Sequence, residues 1–172
     1  MNDSGAIVNR VANSPLRSID LEELFPKQER VVIDLKDNLY NGLILREKDF
    51  RSFIKDHNWA YYQDKYVAVT CTVDAIIPTW AYMLVASKLY PFARMVVYGD
   101  ENTLVQHIWH QTINKLDREP LQDAKVVIKG CGNVPLPEFG FVAITQHLTP
   151  VVSSLMYGEP CSTVPVYKKS KK

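Results

Sequence analysis

The chain has 172 residues, of which 47 % are apolar and 23 % charged, and its formal net charge is +1. Because positive and negative charges are nearly equal in number, the composition predicts no basic surface for nucleic acid. No stretch of the sequence reaches the ~20 apolar residues of a membrane span. The sequence has three cysteines, an odd number, and therefore does not predict a disulfide framework. Because the start lacks the pattern of a signal peptide, we expect a cytoplasmic protein.

Residues 1–62 are predicted to form a helix, a β-hairpin and a second helix. The segment SPLRSIDLEELFP carries helix-start residues at Ser18 or Asp20 and stops at Pro26. RVVIDL from Arg30 and the following LYNGLIL are expected to pair as a hairpin across a short turn. REKDFRSFIKDHNW then places apolar residues at helical spacing.

Residues 63–159 alternate between apolar strand patterns and helix patterns. The predicted strands are KYVAVTC, RMVVYGD, AKVVIKGC and SSLMYGE, and the predicted helices are TWAYMLVASKL, NTLVQHIWHQTINKL and PEFGFVAITQHL. This alternation predicts a single α/β domain, 1–172, with a parallel four-stranded core. Pro160 and Pro165 favour an extended tail over residues 160–172 that runs along an edge or over the sheet.

The core contains an internal repeat of two βαβ units. KYVAVTC ends at Cys71 and KVVIKGC ends at Cys131, which is an offset of 60. Further matches occur at an offset of 59, and they are Pro78 with Pro137, Trp80 with Phe139, Tyr82 with Phe141, Tyr98 with Tyr157, and Gly99 with Gly158. We therefore expect duplicated halves, with the two Tyr-Gly pairs at equivalent strand ends.

Two halves that wind outward in opposite directions give the doubly wound strand order 2-1-3-4. In that order Cys71 and Cys131 stand at the carboxyl ends of adjacent strands, with Cα atoms within about 8 Å. Cys161 follows the fourth strand, and the tail is expected to bring its sulfur toward the other two. All three cysteines would then lie at one edge of one sheet, where ligands of open α/β sheets bind.

Three converging thiolates predict a metal site. Cys71, Cys131 and Cys161 would suit zinc or an iron–sulfur cluster, with one position left for another ligand, water or substrate. Candidates for the fourth ligand are Asp74, Glu159 and Asp100. The spacing is not diagnostic, because no Cys-x-x-Cys is present.

Two other interpretations stay open. Cys131 lies between Gly130 and Gly132, whose backbone N–H groups could form an anion-binding turn, so sulfur or acyl transfer through a reactive thiol is possible. Alternatively the cysteines are inert and the protein is a non-catalytic interaction module. No glycine-rich nucleotide-binding motif follows any predicted strand.

The segments VVIDLKDNLYNGLILREKDFRSFI, AVTCTVDAIIPTWAYMLVASKL, VVIKGC and MYGEPCSTVPVYKK resemble an uncharacterised bacterial family of unknown function. The resemblance covers about Ile7 to Lys169 and includes all three cysteines. It implies a neighbourhood of iron–sulfur cluster assembly genes of the sulfur-mobilisation type, and hence iron–sulfur assembly proteins as partners and a metal- or sulfur-associated accessory role. It defines no catalytic residue.

Overall fold

The computed structural model describes residues 16–130, 135–159 and 161–170. The fold is mixed α/β with largely parallel sheets, and the described chain divides into two compact units. We call Lys27–Ile108 the central unit, and the described residues within Met1–Pro26 and Trp109–Lys172 the terminal unit. None of the helices in the described ranges is long and apolar enough to cross a membrane.

The strands are β1 (Leu16–Asp20), β2 (Arg30–Asp34), β3 (Tyr66–Thr70), β4 (Met95–Tyr98), β5 (Lys125–Lys129), β6 (Ser154–Glu159) and β7 (Ser162–Lys168). The α-helices are α1 (Leu21–Leu24), α2 (Glu47–Asp56), α3 (Thr79–Leu89), α4 (Glu101–Asn114) and α5 (Glu138–Leu148). Short 3-10 helices cover Leu35–Asn38, Trp59–Tyr62 and Glu119–Leu121.

The central unit holds a parallel sheet in the order β2-β3-β4. Its middle strand, YVAVT, is apolar along almost its whole length because both of its faces are covered. Phe50 of α2 and Val85 of α3 are fully buried with Val67 in one hydrophobic cluster. These contacts fix the helices against the sheet by removing apolar surface from water.

The terminal unit holds a second sheet in the order β1-β5-β6-β7. The first three strands are parallel, and β7 returns antiparallel to β6 with a register shift between Leu155 and Met156. Pro165 lies in β7, which is an edge strand, where a residue without a backbone N–H is tolerated. The extended path predicted for the tail is thus confirmed over Ser162–Lys168.

The two units repeat the same elements at a constant offset of 59. Strand Tyr66–Thr70 corresponds to Lys125–Lys129, and helix Thr79–Leu89 to Glu138–Leu148. Tyr98 and Tyr157 end equivalent parallel pairings, and the glycine after each has a positive φ, +140° at Gly99 and +119° at Gly158. The predicted equivalence of the two Tyr-Gly pairs is confirmed, but only Tyr98 ends its strand, because β6 continues through Gly158 to Glu159.

The constant offset of 59 corrects one predicted match between the two halves of the repeat. Cys71 follows β3, but the residue that follows β5 at the same place is Gly130, not Cys131. Sequence matching had aligned the two cysteines because each closes an apolar run. The alignment of the two halves follows instead from the hydrogen-bonded pairing of the strands, which fixes the equivalent residues of the two sheets one by one.

The predicted single sheet with strand order 2-1-3-4 is not confirmed. Its four strands are divided between two sheets, and each half recruits a first strand from the N-terminal part of the chain. Strand β2 pairs with β3, and β1 pairs with β5. The doubly wound arrangement required the two halves to share one sheet, whereas each half here completes its own.

The N-terminal predictions are corrected in two places. Leu16–Asp20 is a strand, although Asp20 does cap the short helix α1, as its side chain accepts the Glu22 N–H. The predicted hairpin is wrong, because β2 is parallel to β3 and does not pair with the segment that follows it. That segment forms a local turn, closed by a bridge between Tyr40 and Ile44.

Candidate functional site

The cysteines that the structure describes lie in different units. Cys71 follows β3 in the central unit, is half-buried, and its thiol donates to the Val73 carbonyl at 3.5 Å. Cys161 is exposed in the turn between β6 and β7 of the terminal unit. Cys131 and Gly132 lie outside the described residues. The three-cysteine site therefore stays a prediction, and elemental analysis of anaerobically purified protein would test it.

The predicted fourth ligands have separate surroundings. Asp100 precedes α4 and accepts the Thr103 N–H at 2.8 Å and its hydroxyl at 2.7 Å, and these bonds lower the pKa of Asp100. Asp74 lies exposed after β3, and Glu159 lies exposed at the end of β6. Within the described ranges, no three His, Cys, Asp or Glu side chains are grouped so that they could hold a metal ion.

Asp34 organises the carboxyl end of the central sheet. Its carboxylate accepts the Lys36 N–H at 3.0 Å, and it accepts both the N–H and the hydroxyl of Thr72. Partial burial opposes ionisation, but the hydrogen bonds outweigh it and lower the pKa of Asp34 to about 2. The carboxylate thereby ties the loop after β3 to the end of β2.

Replacing Asp34 with asparagine should lower the free energy of unfolding by about 1–2 kcal/mol at pH 7, a value reduced for partial solvent exposure. A carboxyl group whose pKa is lower in the folded state stabilises the folded protein at pH values above the pKa of the unfolded state. The difference from wild type should therefore shrink as the pH falls from about 4 toward 2. Urea unfolding at pH 7 and pH 3 measures this, with Asp74→Asn as an exposed control.

An equal loss for Asp74→Asn, or a difference that grows at low pH, would contradict this account of Asp34.

An ion pair stands at the corresponding place of the terminal unit. Asp20 ends β1 and contacts the Lys129 ammonium at 2.9 Å, which lowers the pKa of Asp20 and raises that of Lys129. Gly130 follows directly, and a Cβ there would lie 3.0 Å from the Leu136 side chain. Close packing thus explains why a glycine occupies position 130. The other glycine of the predicted anion-binding turn lies outside the described residues.

An apolar groove lies in the terminal unit, and we call it the terminal groove. It has a volume of about 510 Å³ and lies between α5 and the sheet. Its lining residues are Ile128, Phe141, Val142, Thr145, Gln146, Leu155, Met156, Tyr157, Val164 and Val166. Val164 is 63 % exposed and Val142 57 % exposed, so apolar side chains on both sides of the groove face solvent.

The geometry of the strands explains the floor of the groove. Leu155 and Tyr157 lie on one face of β6, because alternate residues of a strand share a face. Val164 is paired directly with Tyr157, so it extends the same face onto β7. Phe141 of α5 meets the Tyr157 ring edge-on, with centroids 5.5 Å apart, and forms the opposite wall.

The central unit has a smaller groove at the equivalent place, about 240 Å³ in volume. Its lining residues are Val69, Tyr82, Met83, Ala86, Val96, Val97 and Tyr98. Each of the seven corresponds at an offset of 59 to a residue of the terminal groove. The terminal groove is larger because β7 adds Val164 and Val166, and no described strand of the central unit takes the place of β7.

The sequence predicted neither groove, because the aromatic residues of α3 and α5 entered only as matches of the internal repeat. Phe141 and Tyr82 are half-buried, and they pack edge-on against Tyr157 and Tyr98, which are equivalent residues of β6 and β4. One signal was available. TVPVY places Val164 and Val166 at alternate positions, which is typical of a strand with one apolar face.

Comparison with known proteins gives a family but no characterised relative. No curated protein and no solved structure matches the chain. One family model matches residues 5–169, nearly the whole length, and its description is "Protein of unknown function (DUF2480)". The chain therefore belongs to the DUF2480 family.

Proposed function

We propose that this protein is a non-catalytic binding module and that its terminal groove holds an amphipathic helix of a partner protein. The observation that carries the proposal is the row of exposed apolar side chains along the groove, from Val142 on α5 to Val164 on β7. Contiguous exposed apolar surface of this kind marks interaction sites. This is the interaction module that the sequence left open as an alternative.

The open side of α5 supports a helix as the occupant. Helix α5 contacts α4 on one side, where the His110 and Phe139 rings lie 4.6 Å apart. Its other side faces the open part of β6 and β7. Sheet faces in α/β folds are normally covered by helices, so a helix beside α5 would complete the layer.

The chemistry of the lining supports binding rather than catalysis. The lining residues include no carboxylate, lysine, histidine or cysteine. The hydroxyl of Thr145 already donates to the Phe141 carbonyl at 2.7 Å, so it does not require a ligand. Affinity would come from burial of apolar area, at roughly 25 cal/mol per Å² before the cost of association.

A synthetic peptide of about 14 residues, roughly four helical turns, provides a direct test. Leucines at positions i, i+3, i+4 and i+7 form one face, alternating glutamate and lysine form the rest, and fluorescein reports anisotropy. Wild type should bind this peptide. Val164→Glu should weaken binding at least about tenfold, because a carboxylate would be buried without a partner. Leu43→Glu, at a similarly exposed site of the central unit, should leave binding unchanged.

A second peptide of equal composition, with its leucines scattered around the helix, is the specificity control. It should bind much more weakly, because it presents no apolar face. Equal binding of the two peptides, or unchanged binding by Val164→Glu, would contradict the proposal.

A further inference from the structure

A second surface, in the central unit, is the open edge of β4. This strand pairs with β3 on one side, and no other described strand pairs with it. The Gly99 N–H donates to the Val69 carbonyl at 3.0 Å, so the odd-numbered residues of this ladder point toward β3. Because backbone direction alternates along a strand, the N–H and C=O groups of Val96 and Tyr98 point outward.

Large apolar side chains lie beside this edge. Tyr98 is 72 % exposed and Met83, on α3, is 67 % exposed. The Tyr82 and Tyr98 rings meet edge-on with centroids 5.1 Å apart. Unpaired backbone next to exposed apolar groups is the arrangement that accepts another strand. The terminal unit shows such a strand in place, since β7 pairs antiparallel with β6, the equivalent of β4.

The edge is complementary to itself. Residues 94–100 read RMVVYGD. If a second copy runs antiparallel with Val97 facing Val97, then Arg94 lies opposite Asp100 on both sides of the axis. Both residues are exposed, and no ion pair of Arg94 occurs within the described chain.

The same register matches the backbone groups. Val96 lies opposite Tyr98 of the second copy, and both have outward-pointing N–H and C=O groups, so each such pair exchanges two hydrogen bonds. A β-branched residue opposite an aromatic one is a favourable cross-strand pair. Register shifts by one residue would place inward-pointing groups opposite outward-pointing ones and are excluded.

We propose that two copies of this chain associate through β4, as antiparallel strands around a two-fold axis at Val97. The two three-stranded sheets then become one continuous sheet. A two-fold axis perpendicular to the sheet keeps equivalent faces on the same side. Tyr98 and Met83 of both copies therefore come together and leave solvent, which accounts for their exposure in the isolated chain. This interface is separate from the terminal groove.

Sedimentation equilibrium of the full chain tests the association. Wild type should be a dimer at tens of micromolar, and Tyr98→Glu should raise the dissociation constant at least about tenfold, because it places a charge in the interface. Tyr90→Glu changes a tyrosine of the same unit that is 86 % exposed and lies outside the groove, so it should leave the dimer intact. Circular dichroism checks that each variant is folded.

Disulfide trapping tests the register in a background where the three native cysteines are serine. Val97→Cys should give a covalent dimer on oxidation, because directly opposite residues in a non-hydrogen-bonded pair lie about 4.5 Å apart at Cα. Val96→Cys should not, because its two copies are offset along the strands.

Three outcomes would overturn the inference. They are a monomer at all concentrations, a dimer that Tyr98→Glu leaves unchanged, and equal cross-linking of the two cysteine variants. A dimer that Val164→Glu disrupts instead would place the second copy on the terminal groove. In that case the proposed binding of a partner helix, and not only the β4 pairing, would have to be revised.

Discussion

Replacing Trp109 with alanine should lower the free energy of unfolding by about 3–5 kcal/mol, the range for removing a fully buried aromatic side chain. Trp109 is 0 % exposed, and its ring lies 5.0 Å from that of Phe25 between centroids. The indole N–H donates to the Pro135 carbonyl at 3.0 Å. The substitution removes the apolar contacts, leaves a cavity and takes the donor from this carbonyl.

Urea unfolding followed by circular dichroism measures the effect, with Trp109→Phe as the matched variant. Phenylalanine keeps an aromatic ring near Phe25 but loses the indole donor, so its cost should be clearly smaller than that of alanine. A loss below about 1 kcal/mol for Trp109→Ala would mean that this part of the terminal unit is not packed as described.

Replacing Gly158 with alanine should cost about 2–3 kcal/mol and disturb the hairpin of β6 and β7. Gly158 has φ of +119°, and an added Cβ would lie 2.6 Å from the Ser162 carbonyl oxygen. That oxygen belongs to the backbone of β7, so it cannot move without shifting the strand. Since β7 carries Val164, we also expect weaker binding of the amphipathic peptide.

Gly42→Ala is the control for backbone conformation alone. Gly42 also has a positive φ, +70°, but no atom lies within 4 Å of the added Cβ. Its cost should stay near 1 kcal/mol, the usual penalty for this conformation without a clash. Equal effects of the two substitutions in urea unfolding would contradict the close approach of Ser162.

The alternation of strands and helices could be predicted because it depends on local patterns. The apolar runs around Val67 and Val127 and the periodicity of α2 match the structure. The pairing of β1 with β5 could not be predicted, because Leu16 and Lys125 are paired across more than one hundred residues without a local signal. The wrong hairpin came from a turn predicted near Asp37–Asn38, where the structure has the 3-10 helix Leu35–Asn38, because a turn signal does not say which strands will pair.

One further signal in the sequence would have revealed the two sheets. SIDLEE, with Asp20, and VIDLKD, with Asp34, share Ile-Asp-Leu, and in both cases the strand ends in an aspartate that caps the next helical turn. These are the first strands of the two halves. The repeat predicted from the sequence begins at residue 65 and does not include them, so it predicts one sheet from the four remaining strands.

The metal site stays a prediction, but the strand order assumed for it is not observed. It placed Cys71 and Cys131 at the ends of neighbouring strands of one sheet, whereas β3 and β5, the strands that precede them, belong to different sheets. Residue type and order along the chain do not determine which strands are neighbours. The grooves could not be predicted either. An apolar residue at a helical position predicts burial, but it does not show how much of the sheet the helices cover.

Hydrogen–deuterium exchange of the full chain, with and without the amphipathic peptide, tests the central claim most directly. If the terminal groove holds a helix, peptide binding should slow exchange in Glu138–Leu148 and Ser162–Lys168, which form its walls. Exchange in Thr79–Leu89, the equivalent helix of the central unit, should not change. Slower exchange at Thr79–Leu89, together with unchanged exchange at Glu138–Leu148, would contradict the account.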